Sequence, residues 1–213
     1  MHYLNKAAHV KKVDSRNADY WRIISELEAQ APPRFFNDKT TESKGINSGE
    51  KIIKSMDHVI IAGDLNYRLD LPRELAERTV SDMESSGDKE KVKDARNLLL
   101  RHDQLLRTIS EGRAFPDFAE GEIKFSPTFK FDKGTNEYDT SYKQRIPAWT
   151  DRILFTPFGG VKVHDYDSAE ESLHSDHRPV HATLLLNMNG KVYVPKQNRR
   201  KKRRNTRTVI NHS

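Results

Sequence analysis

The nine residues Ile146–Leu154, IPAWTDRIL, constrain this chain more than any others, because Asp151 stands just before the apolar run Ile153–Phe155. A carboxylate therefore opens a segment that reads as a strand. Two other stretches repeat the arrangement. Asp57–Ala62, DHVIIA, has the β-branched content of a buried strand, and Gly63 lets the backbone turn as that strand ends, at GDLNYR. Asp176 and His177, in SDHRPV, precede Arg178–Leu186, whose alternation reads as another strand. A polar cluster at the end of an apolar run is where an α/β or β-sandwich fold presents side chains to solvent.

The chemistry follows from the residue types. Asp64 and Asn66 are two residues apart and face the same way in an extended segment while Leu65 packs back. A carboxylate there orients or deprotonates a water, and the amide holds that water or a substrate oxygen. The plain alternative is a strand followed by an Asx-turn. Asp151 is the expected partner of His177: a carboxylate on one imidazole nitrogen fixes the tautomer and raises the basicity of the other. Without that partner, SDH is only a capped turn.

Charge and composition narrow the classes. A length of 213 residues suits one domain with a sizeable core. The net charge is +6, but Arg199, Arg200, Lys201, Lys202, Arg203, Arg204 and Arg207 supply seven of the 37 basic residues, leaving 30 against 31 acidic ones. The body is nearly neutral, which does not favour a nucleic-acid reader. Zero cysteines exclude disulfides and thiolate metal sites and suit a reducing compartment. No apolar run reaches the roughly 20 residues of a membrane span.

GDLNYR, PAWTDRIL and SDHRPV, in this order, resemble the signatures of the inositol polyphosphate 5-phosphatases, a branch of the endonuclease/exonuclease/phosphatase superfamily. SPTFKFD (Ser126–Asp132), YDTSYKQR (Tyr138–Arg145) and AAHVKKVDSRNADY (Ala7–Tyr20) extend the resemblance from about Ala7 to about Leu186. It implies an α/β (α+β) fold, the four-layer α/β/β/α sandwich of the deoxyribonuclease I-like type lacking its N-terminal strands, over residues 1–186; residues 187–213 turn polar and then strongly basic and read as a disordered tail. It also implies Mg2+-dependent removal of the 5-phosphate of phosphatidylinositol 4,5-bisphosphate or a related inositol polyphosphate. Asp64 then activates the water, Asn66 helps to hold it, His177 oriented by Asp151 stabilises the phosphorus centre, and Asp176 assists the metal region. Lys130, Lys143 and Arg145 match the family positions that grip the 4-phosphate; Arg152 either supports the dyad or meets a phosphate.

The departures from the family pattern carry expectations of their own. Asn5 stands where the family has a histidine, and the opening strands with the metal-binding glutamate have no counterpart, so the chain reads as N-terminally truncated and is expected to be poorly soluble or partly unfolded alone. A catalytically dead fragment and a nuclease of the same superfamily are the rival readings. Phe129 replaces a frequent tyrosine, and Thr150 replaces a cysteine at a position not expected to do chemistry. The expected location is cytoplasmic, peripheral at an anionic membrane, with the tail as a membrane tether, a nuclear-import signal or a passive end.

The remaining elements read in order. Asp14–Gln30 predicts a helix with Tyr20, Ile23, Ile24 and Leu27 on one face. Asn37–Glu50 reads as a loop, Pro72–Val80 as a short helix, Ser81–Asp88 as a loop, and Lys89–Ile109 as one long helix. Phe115, Phe118 and Trp149 read as core anchors; His102, His164 and His174 read as surface residues. Glu122–Asp132 reads as extended, and Gly159–Gly160 as a hairpin turn into a strand over Val161–Asp165.

Overall fold

Helix α1 (His2–Gln30) is longer than its periodicity predicts, and it buries a different stripe. Val13, Asn17, Tyr20 and Ile24 are buried, whereas Ile23 and Leu27 are 50% and 53% exposed. The spacing of four, three and four is one helix face. Asn17 tolerates burial because its Oδ1 accepts a 2.7 Å hydrogen bond from the Tyr67 hydroxyl. The RNADY stretch thus pins α1 to GDLNYR. The computed structural model describes residues 2–32, 50–188 and 191–192. Most of the expected 37–50 loop and the tail from 193 lie outside the described residues.

The sheets are antiparallel. Strand β1 (Ile60–Asp64) pairs with β3 (Asp151–Phe155), which also pairs with β2 (Ala119–Glu120), in the order β1-β3-β2. A second sheet joins β4 (Lys162–Ser168) to β5 (Val180–Leu185). Strand β3 shows how the layers form. Its fully buried Leu154 packs with Tyr20, Ile24, Ile52, Ile53, Leu105, Phe115 and Phe118, while its neighbour Ile153 faces Trp149, Tyr166, Val163, Val180 and Ala182. Consecutive strand residues point to opposite faces, so one face of the first sheet is covered by helices and the other by the second sheet. This is the expected α/β sandwich. Among the described residues β1 has β3 as its one strand partner, which leaves β1 at the sheet edge with Ile60 47% exposed.

Several expected boundaries move. Helix α2 (Glu50–Lys54) precedes the first strand, and α3 (Arg73–Ser85) continues through most of the expected 81–88 loop. The single helix expected over Lys89–Ile109 is two, α4 (Lys89–Leu100) and α5 (Gln104–Ser110). Arg101 ends the first and Asp103 caps the second, accepting from Leu106 N at 2.9 Å. His102, at this break, is half-buried, and His164 and His174 are exposed as expected. Glu122–Asp132 is extended but forms only isolated bridges, Phe129 with Ala148 and His177, and Phe131 with Tyr138. The Gly159–Gly160 turn is not a hairpin: β3 and β4 belong to different sheets, so it carries the chain from one layer to the next. The expected tail begins in order, as a two-residue pairing of β6 (Asn187–Met188) with β7 (Lys191–Val192).

Candidate active site

The register of the first sheet builds the site. Asp64 lies opposite Asp151, and Gly63 opposite Arg152, so the end of β1 and the start of β3 share one edge. The Thr150 carbonyl extends the pairing by accepting from Leu65 N at 2.8 Å. From the other side, Phe129 exchanges two backbone bonds with Ala148, and Arg178 N donates to Thr128 O at 2.8 Å. The 128–131 segment is therefore stitched between the PAWTDR and SDHRPV stretches, and it brings His177 to Asp151.

His177 Nδ1 stands 2.7 Å from Asp151 Oδ2. This hydrogen bond raises the imidazole above its ordinary 6.5; burial opposes the shift, and the charges of Asp151, Asp64 and Asp176 add to it. The sign is that of a cation gaining a partner. The stabilisation is full below the unfolded value and is lost as pH rises through the folded value. A proton–nitrogen NMR titration should place the His177 midpoint above 6.5 in the native chain. In Asp151→Asn, burial is no longer opposed by the carboxylate, and the midpoint should drop; an unchanged midpoint contradicts the dyad.

Thr150 was expected to be chemically idle, yet it is fully buried and its hydroxyl donates to the same Asp151 oxygen at 2.9 Å, 3.4 Å from His177 Nδ1. It fixes the carboxylate from the side away from solvent. Phe129 lies under the site, its ring 4.6 Å from that of His177 and 4.2 Å from the guanidinium carbon of Arg68. Trp149 is fully buried and donates to Phe125 O at 3.1 Å, which braces the loop as expected.

The GDLNYR turn forms the Asx-turn that its sequence allows. Asp64 Oδ1 accepts from Asn66 N at 2.8 Å, an Asx-turn, and Asn66 takes a positive φ of 60°. Arg68 donates to Asn66 Oδ1 through Nε at 3.0 Å and also through Nη2. Arg68 therefore orients the amide, leaving its NH2 as the donor for a water or phosphoryl oxygen. Asp64 Oδ2 takes no part in the turn.

Beside this turn lies a cavity of about 590 Å3, lined by Lys12, Arg16, Asn66, Arg68, Arg73, Lys143, Gln144, Arg145 and Ile146. Six of the nine are cations and none is an acid. Burial, and then the charge of Arg16, push the Arg68 guanidinium down to about 10. Lys143 and Arg145 reach this wall because buried Asp139 accepts from Ser141 N at 3.1 Å and Arg145 N at 2.8 Å, folding the intervening loop. These hydrogen bonds outweigh burial and hold the Asp139 carboxyl below its ordinary value.

Two expected contacts are not made. Arg152 meets neither phosphate nor dyad: its side chain is wholly buried, bonded to Asp103 at 3.0 Å and to Glu120 at 2.6 Å. The side chain at 152 points into the body because its strand neighbours Asp151 and Ile153 take the other face. Lys130 is not in the cavity wall; its Nζ lies 3.7 Å from Asp139 Oδ1. The residues that sequence reasoning missed are Thr150, Arg68, Arg16, Asp139 and Gln104. Buried Gln104 accepts from Arg16 and Arg68 N and donates to Asp70, tying α1 and α5 to the turn. Its polar character inside an amphipathic helix was the available signal.

Among the described residues no three His, Asp or Glu side chains converge as a metal site. Mg2+ uses near-octahedral oxygens, from one or two carboxylates, substrate phosphates and water. Asp176, expected beside the metal, has no convergent pair of ligands, and Asp64 has one oxygen committed to its own turn. A divalent ion at this site would therefore draw most of its ligands from substrate phosphates and water.

The family model of the Endonuclease/Exonuclease/phosphatase family 2 matches residues 2–183. The chain belongs to that family. Type IV inositol polyphosphate 5-phosphatase 11 of Arabidopsis thaliana is 35% identical to this family 2 chain over 84% of it and 46% of the relative. The phosphatidylinositol 4,5-bisphosphate 5-phosphatase INP51 of Saccharomyces cerevisiae is 40% identical over 83% of the chain and 15% of the relative. Among solved structures, the inositol polyphosphate 5-phosphatase domain of SPsynaptojanin, crystallised with inositol (1,4)-bisphosphate and calcium, is 36% identical with a TM-score of 0.54. That match covers 73% of this family 2 chain and 42% of the other. The chain spans less than half the length of these relatives.

Proposed function

We propose that the chain binds an inositol polyphosphate or phosphoinositide headgroup and acts in hydrolysis of its 5-phosphate, with phosphatidylinositol 4,5-bisphosphate the favoured substrate. The observation that carries the reading is the Asp151–His177 pair, at 2.7 Å, together with a cavity that joins Asn66 to Lys143 and Arg145. Its relatives at 35% and 40% identity are inositol phosphatases, which supports the same substrate class.

The chemistry is water plus a phosphate monoester giving inositol hydroxyl plus inorganic phosphate. Asp64 Oδ2 takes the proton of the attacking water while the Asn66 NH2 donates to a phosphoryl oxygen. His177, whose proton affinity the Asp151 hydrogen bond raises, faces the charge that grows on the phosphoryl oxygens and is suited to return a proton to the departing oxygen. Lys143 and Arg145 hold the neighbouring phosphate, the arginine with its planar fork and the lysine as a point charge. Mg2+ is the metal we propose for the reaction, and an anionic membrane is where we place the lipid substrate. Among the described residues no helix is long and apolar enough to cross a membrane.

A second reading rests on one departure from the family pattern, Asn5 in the place of a histidine. In that reading the chain binds inositol phosphates without hydrolysing them. Phosphate release and binding, measured side by side on phosphatidylinositol 4,5-bisphosphate vesicles with Mg2+ or EDTA, separate the two. Metal-dependent release, with KM raised about tenfold in Lys143→Gln for one lost charge-assisted contact, supports hydrolysis. Binding without release supports the second reading, and preferential cleavage of an abasic DNA duplex sinks both.

A further inference from the structure

Half of the cavity's charge has no part in the mechanism above. Lys12 and Arg16 sit four residues apart on α1, on one face of the helix, where like charges repel. Arg73 joins them as the first residue of α3. The wall they share with Lys143 and Arg145 contains no acid, so each added cation raises the cost of the others unless an anion enters.

The contacts of the two arginines leave donors over. Arg16 donates from Nη1 to Gln104 Oε1 at 3.2 Å and lies 5.7 Å from the centre of the Tyr67 ring. Arg73 donates from Nε and Nη2 to Glu77 Oε1, its i+4 neighbour. Its remaining nitrogen, Nη1, is buried and has no hydrogen-bond partner. A guanidinium nitrogen removed from water with no acceptor is costly. A phosphate oxygen in the cavity that Arg73 lines supplies the missing acceptor.

We propose that Lys12, Arg16 and Arg73 form a second phosphate subsite in this cavity, which takes a further phosphate of the same inositol ligand, beyond the one held by Lys143 and Arg145. The inference rests on the inositol reading above and deepens it. These three cations then set how strongly an added phosphate raises affinity, whether the ligand is a soluble inositol polyphosphate or the headgroup of a lipid. Sequence spacing hides this subsite, because Arg73 is more than fifty residues from Lys12 and Arg16 and joins them only when α1 and α3 flank the GDLNYR turn.

The test is calorimetric titration of the metal-free chain with inositol 1,4-bisphosphate, inositol 1,4,5-trisphosphate and inositol 1,3,4,5-tetrakisphosphate, with vesicles containing phosphatidylinositol 4,5-bisphosphate as the lipid arm. In the native chain, affinity should climb with phosphate number. In the Arg16→Gln, Arg73→Gln double variant, the gain of the tetrakisphosphate over the bisphosphate should shrink by about tenfold or more, with bisphosphate affinity held within about twofold. Arg16→Lys with Arg73→Lys should restore part of the gain, and Lys162→Gln, on exposed β4, should change nothing. Thermal melts show which variants are folded; if the glutamine pair is not, the lysine pair against the native chain carries the comparison, and Arg73→Gln alone is read in its place. A full gain in the folded variants overturns the subsite while leaving the inositol reading intact. Failure of the native chain to bind even the bisphosphate overturns the inositol reading itself. Vesicle binding stronger than binding of the matching soluble headgroup assigns the ligand to the lipid, and equal binding assigns it to the soluble form.

Discussion

Arg152→Met is expected to lower the unfolding free energy by about 3–5 kcal/mol, the cost of breaking a buried ion cluster by removing one partner. Burial opposes the charge of Arg152, but Asp103 and Glu120 outweigh it and raise the guanidinium above its ordinary value. Without the arginine, Asp103 remains at 1% exposure facing an apolar thioether, and Glu120 keeps only the Tyr166 hydroxyl, at 2.6 Å. Asp103 is also the cap of α5, so the damage spreads from the sheet into that helix. A domain of ordinary stability holds about 5–15 kcal/mol in all, so the loss is a large fraction of the fold. Urea unfolding followed by circular dichroism measures it. A change below about 1 kcal/mol means that the cluster is not holding β3 to β2 and α5. The neutral replacement Asp103→Asn with Glu120→Gln, in the same Arg152→Met background, should recover part of the loss, since it removes the stranded charges.

His177→Ala is expected to reduce phosphate release by about 10²–10⁴-fold, the usual range for a positioned acid or base. The loss should fall on kcat and leave KM nearly unchanged, because the cavity that grips the ligand is lined by other residues. Asp151→Asn should come close to the same loss by a different route. A carboxamide at 2.7 Å from Nδ1 either donates to that nitrogen or accepts more weakly, so the ring loses its tautomer and its raised proton affinity. The pH profile distinguishes the variants: Asp151→Asn should retain a weak activity that fades at lower pH than the native chain, whereas His177→Ala should show no such limb. Both variants should melt within a few degrees of the native chain, since His177 and Asp151 are partly exposed, at 26% and 22%. An unchanged kcat in a folded His177→Ala chain removes His177 from the mechanism.

Much of the candidate site was legible in the order of residues. Asp64, Asn66, Asp151 and His177 stand in strand-end motifs, and a strand end fixes both the depth of a side chain and the face it takes. What the motifs conceal is direction beyond the strand. Arg152 has the same motif and the same charge as a phosphate ligand, but period-two alternation turns it inward to Asp103, forty-nine residues away. Thr150 looked idle because a hydroxyl in a loop has many partners; burial left it the two members of the dyad, Asp151 and His177. The break of the 89–109 helix at Asp103 was written as an N-cap residue, and it was overlooked because an apolar stripe continues through it. In α1 the stripe itself was misassigned, since Ile23 and Leu27 are apolar without being covered.

By itself the chain's order of residues determined the strand ends, the chemical groups they carry, the α/β class and the pairing of one aspartate with one histidine. These depend on period, residue type and local turn chemistry, which act over a few residues. Only the tertiary structure decided which cations share a cavity, which arginine is a strut, and where Gln104 and Asp139 hold the site in shape. Those outcomes depend on the packing of α1, α3 and the 139–145 loop around one turn, and a buried charge takes its role from the partners that the fold leaves within reach.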